Sequence, residues 1–315
     1  MRTLTAALTL TVLPISAPSQ SRLPEMTSSF QGRWDLVVTM PDGSSSPRWM
    51  DYLESRDPLI RIQPRGGSVH PAYDPNVDGP HITLIVDKAT DKSPATTWDL
   101  RLKNNVITGT QKTGDVIAQI KGVKAPELKH DPPRVWTKAE PLFNGKDLTG
   151  WEPIGATVKN NWIAQEGALV NADRGANLRT TRTFDDFKLH IEFNCPENGN
   201  SGIYLRGRYE VQIEYEKVDA NDPLHSIGSI YGFLAPGIDL PRKPGTWESF
   251  DVTLVGRYLT IVRNGKKTID NREIPGITGG ALDSNEAEPG PFYLQGDHTG
   301  GMKYRNITIQ LPRTS

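Results

Sequence analysis

The chain has 315 residues and carries 36 Lys and Arg against 37 Asp and Glu, a formal net charge of −1. This balance provides no bulk positive field for a nucleic acid or an acidic membrane surface, so we expect a neutral partner and no nucleic acid. Cys195 is the only cysteine, which excludes an internal disulfide and a multi-cysteine zinc site. The length is sufficient for two domains.

The first residues have the three regions of a secretory signal peptide. A positively charged start, Met1-Arg2, precedes an apolar stretch from Leu4 to Ile15, and small residues follow. The apolar stretch is too short to remain as a membrane anchor. We therefore expect a signal peptide over residues 1–20, removed by signal peptidase during export, and a periplasmic or extracellular location. A disordered start with chance hydrophobicity is the alternative.

Short runs rich in β-branched and aromatic residues, separated by Gly and Pro, predict an all-β chain without a long helix. Trp34, Leu36 and Val38 alternate with polar residues before a turn-forming Pro-Asp-Gly, which predicts a hairpin. Three further strand-like segments follow, and Asn104-Asn105 predicts a tight turn among them. We expect a small antiparallel β-barrel or meander over residues 28–125.

Residues 126–140 contain closely spaced prolines and little periodicity, which is typical of a semi-rigid linker or strap. From residue 141 to residue 315 the strand pattern resumes. Residues 187–194 alternate apolar and polar, and Asn264-Gly265 closes a predicted hairpin. Many strands at regular spacing, with long Gly- and Pro-rich connections, favour a two-sheet sandwich of jelly-roll type over a barrel for this second domain.

The segment YEVQIE, residues 209–214, is predicted to be a strand with one apolar face and one polar face. The polar face presents Glu210, Gln212 and Glu214. Glu210 and Glu214 are four positions apart on this face, and their spacing alone does not assign the stereochemistry of a reaction that uses both.

Together the motifs resemble the 3-keto-disaccharide hydrolase domain, with the likeness running from about Pro141 to Pro312. The segments that carry it are FNGKDLTGW (143–151), FDDFKLHIEF (184–193), NSGIYLR (200–206), YEVQIE (209–214), SIYG (229–232), GTWESFDV (245–252), RNGK (263–266), LQGDH (294–298) and YRNITI (304–309). The resemblance implies a concanavalin-like jelly-roll sandwich that cleaves glycosides oxidised to a ketone at C3 of the sugar. FQGRWDL and the meander after it are similar to a small β domain that often precedes this family's domain, and we assign it no chemistry.

A ketone at C3 acidifies the hydrogen on C2, so a base can remove that hydrogen and the C1 substituent can leave by elimination, after which water adds. Such a path needs a base, a group that stabilises the enolate and an acid near the glycosidic oxygen. The resemblance suggests Glu210 or Glu214 as base or acid, Arg206 as the enolate stabiliser and His298 as a proton shuttle. Glu214 stands where the family usually has aspartate, so the reach of its carboxylate differs by one methylene. Direct hydrolysis is the alternative outcome.

No cofactor is required by this scheme, although a divalent metal is an alternative enolate stabiliser, with Asp297 as a candidate ligand. The histidines lack the spacing of a preformed histidine metal site. The expected partner is an oxidised (3-keto) glycoside or disaccharide. Further residues are predicted to bind it: Gln212, Glu192, Tyr204, Tyr231, Trp247 and Gln295.

Two other functions compete with the enzyme. A non-catalytic, lectin-like carbohydrate-binding module would have the same sandwich, with a shallow groove and stacking aromatics. A structural or adhesion protein would expose a broad apolar or edge-strand surface in place of a pocket. A carboxyl group with a strongly raised pKa in a groove would favour the enzyme.

Overall fold

The computed structural model describes residues 29–55, 59–215 and 222–313. The predicted signal peptide, residues 1–20, lies outside these ranges. In the described part of the chain every regular element is a β-strand except one short 3-10 helix at Pro223–His225, which confirms the all-β prediction. None of the described helical segments has the length and apolar character needed to span a bilayer.

The first nine strands form one antiparallel sheet with the order β4-β3-β2-β1-β9-β8-β7-β6-β5. Only Ala72 separates β4 from β5, which are the two ends of that order, so the sheet curls into a nearly closed barrel. The strands are β1 (Gly32–Thr39), β2 (Ser45–Leu53), β3 (Leu59–Gln63), β4 (His70–Pro71), β5 (Tyr73–Asp78), β6 (His81–Asp87), β7 (Thr96–Lys103), β8 (Val106–Thr113) and β9 (Val116–Lys124).

Local signals in the sequence account for the barrel. Trp34, Leu36 and Val38 are fully buried in its core, as their alternation predicts. Asn104 and Asn105 both have positive φ, 51° and 59°, and join β7 to β8. Asparagine tolerates this left-handed conformation better than most residues do, so the predicted tight turn is confirmed.

The remaining strands form two antiparallel sheets. An eight-stranded sheet has the order β12-β13-β22-β15-β18-β19-β20, with β10 paired to β22, and a five-stranded sheet has the order β11-β14-β21-β16-β17. The strands are β10 (Glu140–Pro141), β11 (Trp151–Pro153), β12 (Trp162–Gln165), β13 (Ala168–Asn171), β14 (Leu178–Thr180), β15 (Phe187–Asn194), β16 (Asn200–Leu205), β17 (Tyr209–Glu214), β18 (Trp247–Val255), β19 (Tyr258–Arg263), β20 (Lys266–Glu273), β21 (Tyr293–Leu294) and β22 (Met302–Gln310).

A single hydrophobic core joins the two sheets. Alternate residues of β15, including Leu189 and Ile191, enter it from the larger sheet, and Val211 and Ile213 of β17 enter it from the smaller sheet. The predicted hairpin at Asn264-Gly265 connects β19 to β20. These features confirm the predicted concanavalin-like jelly-roll sandwich.

The barrel packs directly on the sandwich. Trp49 of β2 is buried within the sandwich core and meets Phe233 edge-on, with ring centroids 5.4 Å apart. Ser284 Oγ donates a hydrogen bond of 2.7 Å to the backbone oxygen of Leu36 in β1. The loop after β3 also contacts the sandwich, where the Gly66 amide donates to Gly279 O.

Candidate functional site

A cavity of about 580 Å³ lies where the smaller sheet meets the loop after β3. Its volume falls within the range of pockets that bind small ligands. Most of the lining side chains are polar. The lining residues are Arg65, Gly66, Gly67, Asn177, Asn200, Tyr204, Glu210, Gln212, Glu214, His225, Tyr231, Gly279, Gly280, Tyr293, Gln295, Asp297 and His298.

Strand β17 forms one wall of the cavity through its period-two alternation. Tyr209 and its apolar partners point into the core, whereas Glu210, Gln212 and Glu214 line the cavity. Glu210 and Glu214 are each only 5% exposed. The structure therefore brings together the two carboxylates and the amide that the sequence places on one face.

Glu210 is a buried carboxyl group of the cavity with a strongly raised pKa. Burial raises its pKa to about 7, a hydrogen bond from Tyr204 and the charge of His298 oppose that rise, and Asp297 adds to it. The Tyr204 hydroxyl donates to Glu210 Oε2 at 2.7 Å. A carboxyl group with this pKa can exchange a proton near neutral pH, which is the property required of a general acid or base.

A second titratable pair, Asp297 and His298, lies in the loop after β21. His298 Nδ1 is 2.7 Å from Asp297 Oδ1, and this hydrogen bond raises the pKa of His298. Burial of Asp297 opposes its ionisation, but the hydrogen bond and the charge of His298 outweigh burial and lower the pKa of Asp297. The imidazole is therefore held toward its protonated form beside Glu210.

Two buried amides offer hydrogen-bond acceptors to a ligand. Gln212 Oε1 and Gln295 Oε1 are buried and have no hydrogen-bond partner among the described residues. An unpaired buried acceptor is costly, so such atoms mark a place where a donor binds. Sugar hydroxyl groups are donors of this kind. Tyr204 and Tyr231 also line the cavity, so four of the six predicted binding residues lie together.

The barrel supplies one wall, which the sequence did not indicate. The Gly66 amide donates to Gly279 O at 2.9 Å, and Gln63 Nε2 donates to Gly67 O at 3.0 Å. A Cβ on Gly279 would lie 2.4 Å from Gly67 O, so this contact between loops requires glycine. Arg65, at the start of this loop, brings an exposed guanidinium to the cavity. The sequence Arg-Gly-Gly predicts a loop at this position, but it does not predict that the loop contacts the sandwich domain.

Arg206 lies outside the cavity, which corrects the prediction that it stabilises an enolate there. Strand β16 ends at Leu205, and the positive φ of Arg206, 52°, turns its side chain away from the polar face. The guanidinium is fully buried, 3.3 Å from Asp185 Oδ1 and 3.2 Å from Glu288 O. It holds loops together and is not accessible to a sugar.

Glu192 and Trp247 also lie away from the cavity, because β15 and β18 belong to the larger sheet. Glu192 accepts hydrogen bonds of 2.7 Å from Arg305 Nε and from Asn306 Nδ2. The Arg305 guanidinium lies 3.9 Å from the centre of the Trp247 ring. The prediction that these two residues bind substrate is therefore corrected: they stabilise the outer face of the larger sheet.

A cluster of potential metal ligands, His130, Asp185 and Asp186, occurs in the described part of the chain, with ligand atoms within 4.8 Å of one another. None of the three lines the cavity. His130 Nδ1 is 2.9 Å from Asp186 Oδ1, which also accepts from the Gly256 amide at 2.7 Å. These hydrogen bonds give the cluster a structural role: they attach the segment that follows the barrel, residues 126–140, to the sandwich. A metal at the cavity stays a prediction.

Fold and cavity together define a class: a two-sheet jelly-roll sandwich with a carboxylate-lined cavity on the outer face of its smaller sheet. Residues 138–310 match the model of the 3-keto-alpha-glucoside-1,2-lyase-like domain family. Since this match spans more than half of the chain, the protein belongs to that family.

A curated relative is a 3-keto-disaccharide hydrolase of Bacteroides thetaiotaomicron, 26% identical over 96 residues. The aligned part covers 27% of this chain and 32% of the relative, so the match spans about a third of the relative's length. Both names point to enzymes that act on glycosidic bonds.

Two solved structures from Parabacteroides distasonis, each described as a glycosyl hydrolase, are also similar. One is 29% identical, with 58% of this chain and 93% of that chain covered and a TM-score of 0.46. The other is 20% identical, with 56% and 98% covered and a TM-score of 0.45. Because both TM-scores are below 0.5, the fold assignment depends on the strand order of this chain.

Proposed function

We propose that the protein cleaves the glycosidic bond of 3-keto-glycosides, by elimination followed by addition of water. The observation that carries the proposal is Glu210, a buried carboxyl group with a pKa of about 7 in a polar cavity large enough for a sugar. Membership of the family supports 3-keto-glycosides as the substrate class. Unoxidised glycosides have no acidic hydrogen at C2, so a base of this strength acts on the keto form alone.

In the first step Glu210, as carboxylate, takes the hydrogen from C2, and the electrons of that bond form the enolate C2=C3–O⁻. The enolate then re-forms the ketone, makes a C1=C2 double bond and expels the C1 oxygen. Water adds at C1 to give the free 3-keto sugar. The Tyr204 hydroxyl, 2.7 Å from Glu210 Oε2, holds the carboxylate in place during the first step.

His298 is the acid that protonates the leaving oxygen in this scheme. Its hydrogen bond to Asp297 raises its pKa, which favours the protonated imidazole that this step needs. Arg65 is the exposed cation in the cavity wall, and it replaces Arg206 as the candidate for orienting the keto sugar.

The lectin-like alternative has less support. Its mark would be aromatic rings open for stacking, but two of the three cavity tyrosines, Tyr204 and Tyr293, stack on each other with centroids 3.8 Å apart and are each at most 2% exposed. The cavity instead concentrates titratable groups, which favours chemistry over passive binding.

The test is incubation with a 3-keto-disaccharide and with its unoxidised parent, following release of the second sugar. We expect release from the keto form alone, and a loss of about 10²-fold or more in kcat for Glu210→Gln. Glu214→Gln tests the neighbouring carboxylate. Glu140→Gln is the matched control, because Glu140 pairs with Arg182 on the surface. Binding of either sugar without release would support the lectin, and equal release from both sugars would refute the keto requirement.

A further inference from the structure

We propose that Gly202 is a positioning residue for the base: its missing side chain leaves room on strand β16 for the Glu210 carboxylate and so directs Glu210 Oε1 at the substrate. The inference rests on the function proposed above. It assigns a catalytic consequence to a glycine that does not itself line the cavity.

Three neighbouring strands, β21, β16 and β17, surround Gly202 with polar residues. Asn200 and Tyr204, two positions before and after it, line the cavity, so Gly202 lies on the cavity face of β16. It pairs with Gln212 on β17, and on its other side the Gln295 amide donates to its carbonyl at 2.9 Å. The Oε1 atoms of both glutamines are buried and without a hydrogen-bond partner among the described residues. Gly202 therefore lies between the two acceptors that were assigned above to sugar hydroxyl groups.

Glu210 reaches across this position from the neighbouring strand. Its backbone pairs with that of Tyr204, so Gly202 is its diagonal neighbour, at a distance that a long side chain can cover. A Cβ on Gly202 would lie 2.4 Å from Glu210 Oε1, 2.9 Å from its Cγ and 3.0 Å from its Cδ. Three side-chain atoms of the glutamate thus occupy the space that a side chain at position 202 would need.

The backbone of Gly202 does not itself require glycine. The residue lies inside β16 (Asn200–Leu205), and its φ is not positive, unlike that of Gly207 in the following turn, which is 68°. Glycine inside a strand lowers stability, because it loses more backbone freedom on folding than other residues do. A glycine in such a place marks the close approach of another group, and here that group is the carboxylate of Glu210.

The two carboxylate oxygens of Glu210 have different surroundings. Oε2 accepts the hydrogen bond from the Tyr204 hydroxyl, and no other side chain among the described residues donates to the carboxylate. Oε1, which lies next to Gly202, is therefore the oxygen that is left to take the C2 hydrogen. A shift of this oxygen by about 1 Å would misalign it with that hydrogen, and a misplacement of this size can lower a rate by about 10²-fold.

An alanine at position 202 would displace the carboxylate and leave the strand in place. The atoms that its Cβ would meet belong to a flexible side chain, whereas a Cβ on Gly109 would lie 2.1 Å from the backbone oxygen of Asp99. The Glu210 side chain would rotate away from β16 and become more exposed. Because burial is the largest cause of the raised pKa of Glu210, that pKa would fall.

The first experiment measures kcat, KM and the pH dependence of kcat/KM on a 3-keto-disaccharide. Gly202→Ala should lower kcat by about 10²-fold with KM nearly unchanged. The limb of the pH profile that reports ionisation of the base should move to lower pH. A merely structural role would lower the rate without moving this limb, and that result would overturn the proposal.

Gly237→Ala is the matched control. Gly237 is exposed, it has no positive φ, and its Cβ would meet nothing closer than Thr268 O at 3.4 Å. This variant should keep the wild-type kcat and pH profile, which shows that exchange of glycine for alanine is not harmful in itself.

The double variant Gly202→Ala/Glu210→Gln separates an effect on the base from an effect on sugar binding. If the glycine acts only through the carboxylate, Gly202→Ala lowers the residual rate of Glu210→Gln no further. An additional loss, or a Gly202→Ala variant that raises KM alone, would show that the glycine makes room for the sugar, and the proposal would be wrong.

Urea unfolding establishes whether the variants fold. Gly202→Ala should keep the wild-type midpoint, because only the end of a flexible side chain has to move. Gly202→Ser, which has a larger side chain, should lose at least as much activity. If neither variant folds, the glycine serves the fold alone, and the proposal is overturned.

A measurement without substrate keeps the position of Glu210 separate from the proposed function. The carboxyl ¹³C resonance of Glu210, assigned by its loss in Glu210→Gln, reports the pKa of this group. Gly202→Ala should lower the pKa from about 7, and Gly237→Ala should leave it unchanged. An unchanged pKa in Gly202→Ala refutes the positioning role whatever the enzyme acts on. A lowered pKa in a protein without activity on the keto sugar confirms that Gly202 positions the carboxylate and refutes the proposed reaction.

Discussion

Replacing Glu210 by glutamine is expected to stabilise the folded protein at neutral and alkaline pH while it removes activity. The folded carboxyl group keeps its proton until pH about 7, whereas the unfolded one releases it near the ordinary value of 4.5. The contribution of Glu210 to the free energy of unfolding is therefore fully present below pH 4.5 and is lost as the pH rises through 7. Glutamine is neutral throughout, and its Oε1 can still accept the hydrogen bond from Tyr204.

The size of the effect follows from the two pKa values. A change from 4.5 to about 7 corresponds to roughly 3 kcal/mol of free energy, fully developed by pH 8 and absent at pH 4. Glu210 is 5% exposed, so solvent screening takes little from this value.

The assay is urea unfolding of the wild type and of Glu210→Gln at pH 4.5, 6 and 8. The difference in free energy of unfolding should grow with pH in favour of the variant. Glu140→Gln, an exposed carboxylate, should show no such trend. A difference that is constant with pH, or that favours the wild type at pH 8, would refute the assignment of a raised pKa to Glu210.

Three further outcomes follow from the same structure. Gly280→Ala should lower kcat about tenfold with an unchanged circular dichroism spectrum, because the new Cβ would lie 2.2 Å from the Tyr204 hydroxyl and displace it. An unchanged kcat would contradict the role of Tyr204. Glu192→Gln should leave kcat/KM unchanged, since this residue lies on the other sheet, and a large loss would return it to the site. Asp35→Asn should raise the midpoint of urea unfolding, by an amount that grows from pH 4 to pH 9. The reason is that burial, and after it repulsion by Glu286, raises the pKa of Asp35 to about 9. A lower midpoint for the variant at pH 8 would show that the carboxyl group stabilises the fold.

Local patterns in the sequence determined the strands and one wall of the site. The alternation along YEVQIE is enough to put Glu210, Gln212 and Glu214 on one face, since successive side chains of a strand point to opposite sides. Turn chemistry, such as Asn104-Asn105, likewise needs only neighbouring residues. The same alternation misplaced Arg206, because the strand ends one residue earlier and a positive φ reverses the direction of its side chain.

Only the tertiary structure decided which faces meet. The polar faces of β15 and β17 have similar patterns, yet Glu192 belongs to the larger sheet and Glu210 to the cavity, and sheet membership depends on pairings between distant strands. Arg65 reaches the cavity because the barrel packs on the sandwich. The same packing brings Ser68 to His225, which is 157 residues away in the chain. Such contacts arise from the packing of whole domains, for which no local sequence pattern exists.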